Sequence, residues 1–134
     1  MLRGPFISSR AVESAWKLMG YAPHAAKFYE EVAAGKSVWT IRDAAGFPAP
    51  VGEGGRRAQP FWSSRARVER VVKTVAADRD FEVVELPASD FLERWLPGFA
   101  RDGFLVGVNW SGPRATGFDV EPDVVLANSQ ALLP

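Results

Sequence analysis

The sequence predicts an α+β fold: a single domain with a mixed, mostly antiparallel sheet of about four to six strands and helices packed mainly on one face. Three observations predict it. The chain has 134 residues, 47% of them hydrophobic, with nine Phe and five Trp, which is one core's worth of chain and of apolar side chains. Segments of helical period lie between short segments of alternating or β-branched character. Some of those short segments are joined by turn-rich connections of hairpin type, which a regular doubly wound sheet would not contain.

Two helices are expected to open the chain, over residues 1–36. Val12, Ala15, Trp16 and Met19 share one face of a helix from about Ser9 to Met19. "YAPHAAKFYEEVAAGK" reads as the second, with Pro23 suited to a first turn and Gly35 to the position just past the end. "SVWTIRD" follows as a strand, placing Trp39 and Ile41 inward and Val38, Thr40 and Arg42 outward. "AGFPAPVGEGGRRAQ" is too rich in Gly and Pro for a regular element and reads as a long loop, ending in a short strand at "PFW". Ser63 or Ser64 then caps a helix whose Val68, Val71, Val72 and Val75 recur at i, i+3, i+4 and i+7.

"FEVVEL" is the next strand, and "ASDFLERWLPGFARDG" a helix presenting Phe91, Leu92, Trp95 and Leu96, which Pro97 should end or kink. "GFLVGVNW" is a strand with Phe104, Val106, Val108 and Trp110 on one side and Leu105, Gly107 and Asn109 on the other. "SGPRATG" turns the chain into "FDVEP", and Pro122 starts a short helix. The sheet-containing core is assigned to 37–126 and a C-terminal tail to 127–134.

Composition removes several chemistries. Without cysteine there are no disulfides, thiolate metal sites or thiol nucleophiles. A single histidine, His24, cannot build a histidine-rich metal site, and nothing near it resembles a nucleophile elbow. Sixteen basic residues balance sixteen acidic ones, so no net positive field gathers nucleic acid or an anionic membrane, and neither is an expected partner. No segment has the length of a signal peptide's apolar stretch or of a membrane span, and the expectation is a cytoplasmic protein. In that setting the triplet Asn109-Trp110-Ser111 is a coincidental glycosylation pattern.

The blocks "VWTIRDAAGF", "PFWSSRARVERVV", "FLERWLPGFARDGFLVGVNWSG" and "ATGFDVEP", in that order from Val38 to about Glu121, resemble the bacterial family catalogued as domain of unknown function 2750. The resemblance implies a small bacterial domain and brings no activity, cofactor or catalytic residue. Against the family pattern, "PAPVGEGGRR" reads as an extension of the loop.

The candidate binding surface consists of Thr40, Arg42, Trp62, Asn109, Trp110 and Arg114. If the two strands that carry most of them are neighbours, Thr40, Arg42, Gly107 and Asn109 share an open, partly polar sheet face, with a dent where Gly107 lacks a side chain. The competing reading gives Asn109 and Ser111 a turn-shaping role. Ser63, Ser64 and Arg65 form a candidate anion site at a helix start, although Arg65, Arg67, Arg70 and Lys73 spread as a solvated face does. Asp119, Glu121 and Asp123 alternate with the spacing of cation ligands in an extended segment, but Pro122 and the flanking turns favour a solvated turn. Residues 56–73 hold six basic side chains and one acidic, and 78–93 six acidic and one basic, a dipole able to steer a charged protein.

The leading expectation is a small non-enzymatic protein-interaction module, immunity-like or regulatory, whose partner is another protein, with self-association left open. The alternative is a small-molecule-binding domain using a sheet-face pocket near Gly107 and Asn109. No cofactor or metal is expected, and an enzyme ranks third.

Overall fold

The computed structural model describes residues 23–52, 54–74, 80–112 and 116–132. The helix expected from Ser9 to Met19 lies outside them, as do Val75 and Arg114. The first described helix, α1 (Pro23–Gly35), buries Ala25, Phe28, Tyr29 and Val32, one face at the helical spacing. Gly35 is its last residue, and Lys36 takes the left-handed position after it, with φ 58°.

Five strands and three more helices follow: β1 (Ser37–Arg42), β2 (Ala58–Phe61), α2 (Arg65–Thr74), β3 (Glu82–Pro87), α3, β4 (Leu105–Ser111), β5 (Thr116–Val120) and α4 (Pro122–Leu132). The residues expected as a tail from 127 are helical as far as Leu132. Helix α3 comprises Ala88–Asp90, a π-helical stretch Phe91–Trp95, and Leu96–Asp102. Pro97 was expected to end or kink this helix, yet the helix continues through it. The Leu96 N–H reaches back to the Phe91 carbonyl, and this wider turn lies just before the residue that has no N–H to give. Gly103, φ 76°, closes the helix.

Strands β1 and β3 pair antiparallel from Ser37↔Pro87 to Arg42↔Glu82. Strand β4 pairs parallel with β2 and antiparallel with β5. Reciprocal backbone bonds between Trp39 and Trp62, 2.7 and 2.8 Å, join the two sheets. The result is a mixed five-stranded layer in the order β3-β1-β2-β4-β5, an α+β fold with most helices on one face.

On that face α1, α3 and α4 enclose the main core, which includes Val38, Phe61, Phe91, Leu96, Val106, Val108, Val120 and Val125. Phe61 meets Phe91 and Phe99 with ring centres 4.8 and 5.8 Å apart. On the other face α2 packs Val68 and Val71 against Ile41 and Trp62, with Trp39, Val83 and Trp110 around them. Val38 therefore points inward, contrary to the expected orientation of β1, because both sides of that strand are covered. No helix among the described residues is long and apolar enough to cross a membrane.

The glycine-rich loop between β1 and β2 is bound down. An Asp43–Gly46 turn starts it, with the Ala45 N–H donating to Asp43 Oδ1 at 2.9 Å. Arg56 closes it by donating to the Gly103 carbonyl at 3.0 Å and forming a two-point ion pair with Glu121. The Arg of "EGGRR" thus clamps the loop to the α3–β4 turn and to the end of β5.

Candidate cleft between α2 and the β4 bulge

Strand β4 alternates normally through Val106 and Val108. Then Asn109 adopts φ 50°, and the register with β5 shifts between Val108 and Ser111. This bulge breaks the alternation. Trp110 swings to the side of Gly107, opposite to the expectation that grouped it with Val106 and Val108. Its indole lies where a Gly107 side chain would be: a Cβ there would stand 2.4 Å from Trp110 Cε2. A Cβ on Gly117 of β5 would stand 2.8 Å from Trp110 Cδ1. The dent expected at Gly107 is thus filled by the protein's own tryptophan. Nε1 of Trp110 donates to Asp119 Oδ1 at 3.1 Å, while burial pushes the Asp119 carboxyl above its usual range.

Asn109 is buried, 1% exposed, and is not part of an open face. Its Oδ1 accepts the Ser63 N–H at 2.9 Å, and its Nδ2 donates to Ser63 Oγ at 2.9 Å. The Ser63 hydroxyl donates in turn to Glu31 Oε1 at 2.7 Å. Arg67 grips both oxygens of Glu31, Nε at 2.9 Å and Nη2 at 2.8 Å. One polar chain, Asn109–Ser63–Glu31–Arg67, therefore links β4, the start of α2, and α1. The Arg67 guanidinium foremost, with help from the Ser63 hydroxyl, holds the Glu31 carboxyl below its usual range against the opposing effect of burial.

The anion site expected at Ser63, Ser64 and Arg65 takes another form. Ser64 Oγ accepts the Arg67 N–H at 3.3 Å and caps α2. Ser63 is committed to Glu31 and Asn109, and Arg65 lies exposed near Glu69 and Glu85. A carboxylate of the protein itself, Glu31, occupies the place beside Ser63.

The rest of the expected surface divides. Thr40 is fully buried and donates to the Pro60 carbonyl at 2.8 Å, tying β1 to β2. Arg42 is exposed and pairs with Glu82 across β1 and β3. Trp62 is 1% exposed rather than at a rim, and its Nε1 donates to the Trp110 carbonyl at 2.7 Å. Asp119 and Glu121 are engaged with Trp110 and Arg56, and no cluster of three metal-ligating side chains occurs among the described residues.

Trp62, Asn109 and Trp110 do come together, along a cleft of about 370 Å³ whose opposite wall is the α2 face of Arg67, Arg70, Val71 and Thr74. Sequence reasoning assigned the two arginines of that wall to a solvated face rather than to a site. Their spacing, three residues apart beside the valine stripe, was the available signal. Among the described residues Arg70 has no ion-pair partner, and no Asp, Glu, His or Lys lines the cleft. Residues 25–128 match the model of a family described as "Protein of unknown function (DUF2750)". No curated protein matches the chain.

Proposed function

Because the chain belongs to the DUF2750 family, whose description assigns no activity, function has to be read from the site, and we propose a non-enzymatic domain that binds a small molecule in the Trp62–Trp110 cleft. The observation that carries this reading is the cleft: about 370 Å³, with the partly exposed Trp110 indole above the buried Trp62 on one side and Arg67 and Arg70 of α2 on the other. Its size falls in the usual range for small-molecule sites, which pair an apolar lining with a few placed polar groups. The non-enzymatic part rests on the lining, whose described residues offer arginine but no carboxylate, imidazole or amine to carry a proton at neutral pH. A cytoplasmic setting suits a chain without cysteine.

The experiment is amide NMR on the labelled protein mixed with the dialysable and the retained fractions of its host's lysate. The reading expects the dialysable fraction to shift Val71, Ser111 and Gly112, and a Thr74→Trp variant, which puts an indole at the exposed end of the same wall, to abolish the shifts. Shifts from neither fraction overturn it. Shifts from the retained fraction alone also overturn it, in favour of a regulatory or immunity-like module that receives a partner protein's side chain. That second reading is supported by the presence in one cleft of Trp110 and of Arg70, which has no ion pair among the described residues, residue types that anchor protein interfaces.

A further inference from the structure

The ligand class can be narrowed from the charge of the cleft. We infer that the ligand carries a carboxylate or phosphate on a flat apolar body, with Arg70 as the receptor of the anion; this rests on the small-molecule reading above.

The two arginines of the wall are in different states. Arg67 already donates through Nε and Nη2 to Glu31, so its charge is compensated within the protein and its guanidinium is fixed. Arg70, one turn further along the same wall, has no ion pair among the described residues, and no acidic side chain among them lines the cleft. The described lining therefore keeps one uncompensated positive charge in a cleft that also presents the partly exposed Trp110 indole, and low-dielectric walls focus such a field. Apart from the exposed Ser111, the other polar side chains of the described lining are engaged internally. Asn109 bonds Ser63, the Trp62 Nε1 bonds the Trp110 carbonyl, and the Thr74 hydroxyl donates to the Arg70 carbonyl. A cation would be repelled, and a neutral polar ligand would find few free partners. An anion meets the planar fork that suits carboxylate and phosphate alike, while the exposed part of the Trp110 indole takes an aromatic or similarly flat body.

Phenylacetate, phenyl phosphate and the neutral phenylacetamide share a body and differ in charge, so their titration against tryptophan emission and the arginine Nε–H signals tests the inference. The native protein is expected to bind at least one of the two anions about tenfold or more tightly than the amide, the scale of a charged hydrogen bond. Whichever anion gains more identifies the head group. Arg70→Gln should abolish the preference, so that the anions bind it no more tightly than the amide does, and Arg70→Lys should restore part of it. Arg70 is exposed, and an unchanged denaturation midpoint checks that each variant folds. Equal binding of all three probes, or a preference surviving Arg70→Gln, overturns the anion inference and leaves the cleft reading intact. Silence towards all three overturns the inference as well, and the dialysable-fraction experiment then decides separately whether the cleft binds any small molecule.

Discussion

Replacing Asn109 with alanine should be among the most damaging single changes outside the apolar core, and the cost can be worked from two local features. The residue holds φ 50°, a conformation that costs an ordinary L-residue roughly 1–2 kcal/mol and asparagine less. Its Oδ1 is also the acceptor of the buried Ser63 N–H at 2.9 Å, and orphaning such a donor costs about 1–3 kcal/mol. Together they give roughly 2–4 kcal/mol, which for a chain of this length lowers the thermal midpoint by on the order of 10 °C. Asn109→Gly separates the two contributions. Glycine accepts the positive φ but still leaves the Ser63 donor unpaired, so it should recover about 0.5–1 kcal/mol of the alanine loss after its greater chain entropy is counted. Urea denaturation of the three proteins, with equal slopes required for comparison, is the assay. An alanine variant within about 0.5 kcal/mol of the native protein, no more than an ordinary surface change, would refute the reasoning. So would an alanine variant as stable as the glycine one.

Three further outcomes follow from the same neighbourhood. Glu31 is held below its usual range, so the unfolded chain takes up this proton first. The stabilisation is complete above the ordinary glutamate range and is lost as pH falls through the folded value. The stability gap between the native protein and Glu31→Gln should therefore narrow from about pH 7 to about pH 2, and a constant gap in pH-dependent denaturation would contradict the assignment. Asp119 has the opposite sign, because burial raises its carboxyl: its charge costs stability above the folded value, and the cost vanishes as pH falls below the unfolded one. Asp119→Asn keeps an oxygen for Trp110 Nε1, so its thermal midpoint should equal or exceed the native one near pH 7 and lose that advantage near about pH 3; a lower midpoint near neutrality would rule this out. Gly107→Ala drives a methyl into the Trp110 ring and should cost about 1–3 kcal/mol of overpacking and shift tryptophan emission to the red, whereas an unchanged midpoint and spectrum would show that the indole lies elsewhere.

Much of the fold was legible because helices advertise the face they bury. Ala25, Phe28, Tyr29 and Val32 in α1, and Val68, Val71 and Val72 in α2, recur at spacings that only a helix turns to one side. Strand β1 was legible as a strand but not in its orientation. With α1 on one side and α2 on the other, both of its faces carry buried side chains, so alternation cannot say which set meets which core. Thr40 was misplaced for that reason: its hydroxyl is satisfied by the Pro60 carbonyl, a partner distant in sequence and set by how β1 and β2 meet. The parallel pairing of β2 with β4 likewise depends on the path of the chain, which short apolar runs do not encode.

The site was half legible, and the bulge explains the division. The residues Gly107, Asn109 and Trp110 were recognisable as unusual, but strict alternation assigned the tryptophan to the wrong face, since a one-residue irregularity reverses every side chain beyond it. Without the left-handed turn at Asn109, the Trp110 indole would enter the face already filled by Phe61, Phe91 and Phe99. With the turn, it crosses to the α2 side, and the missing side chains of Gly107 and Gly117 give it room. The two glycines and Asn109 thus serve a single outcome, an indole laid across the sheet with its carbonyl fixed by Trp62. The arginines of α2 matter only once that indole is in place. On a bare helix Arg67 and Arg70 belong to a solvated face, and opposite Trp110 they become the wall of a cleft.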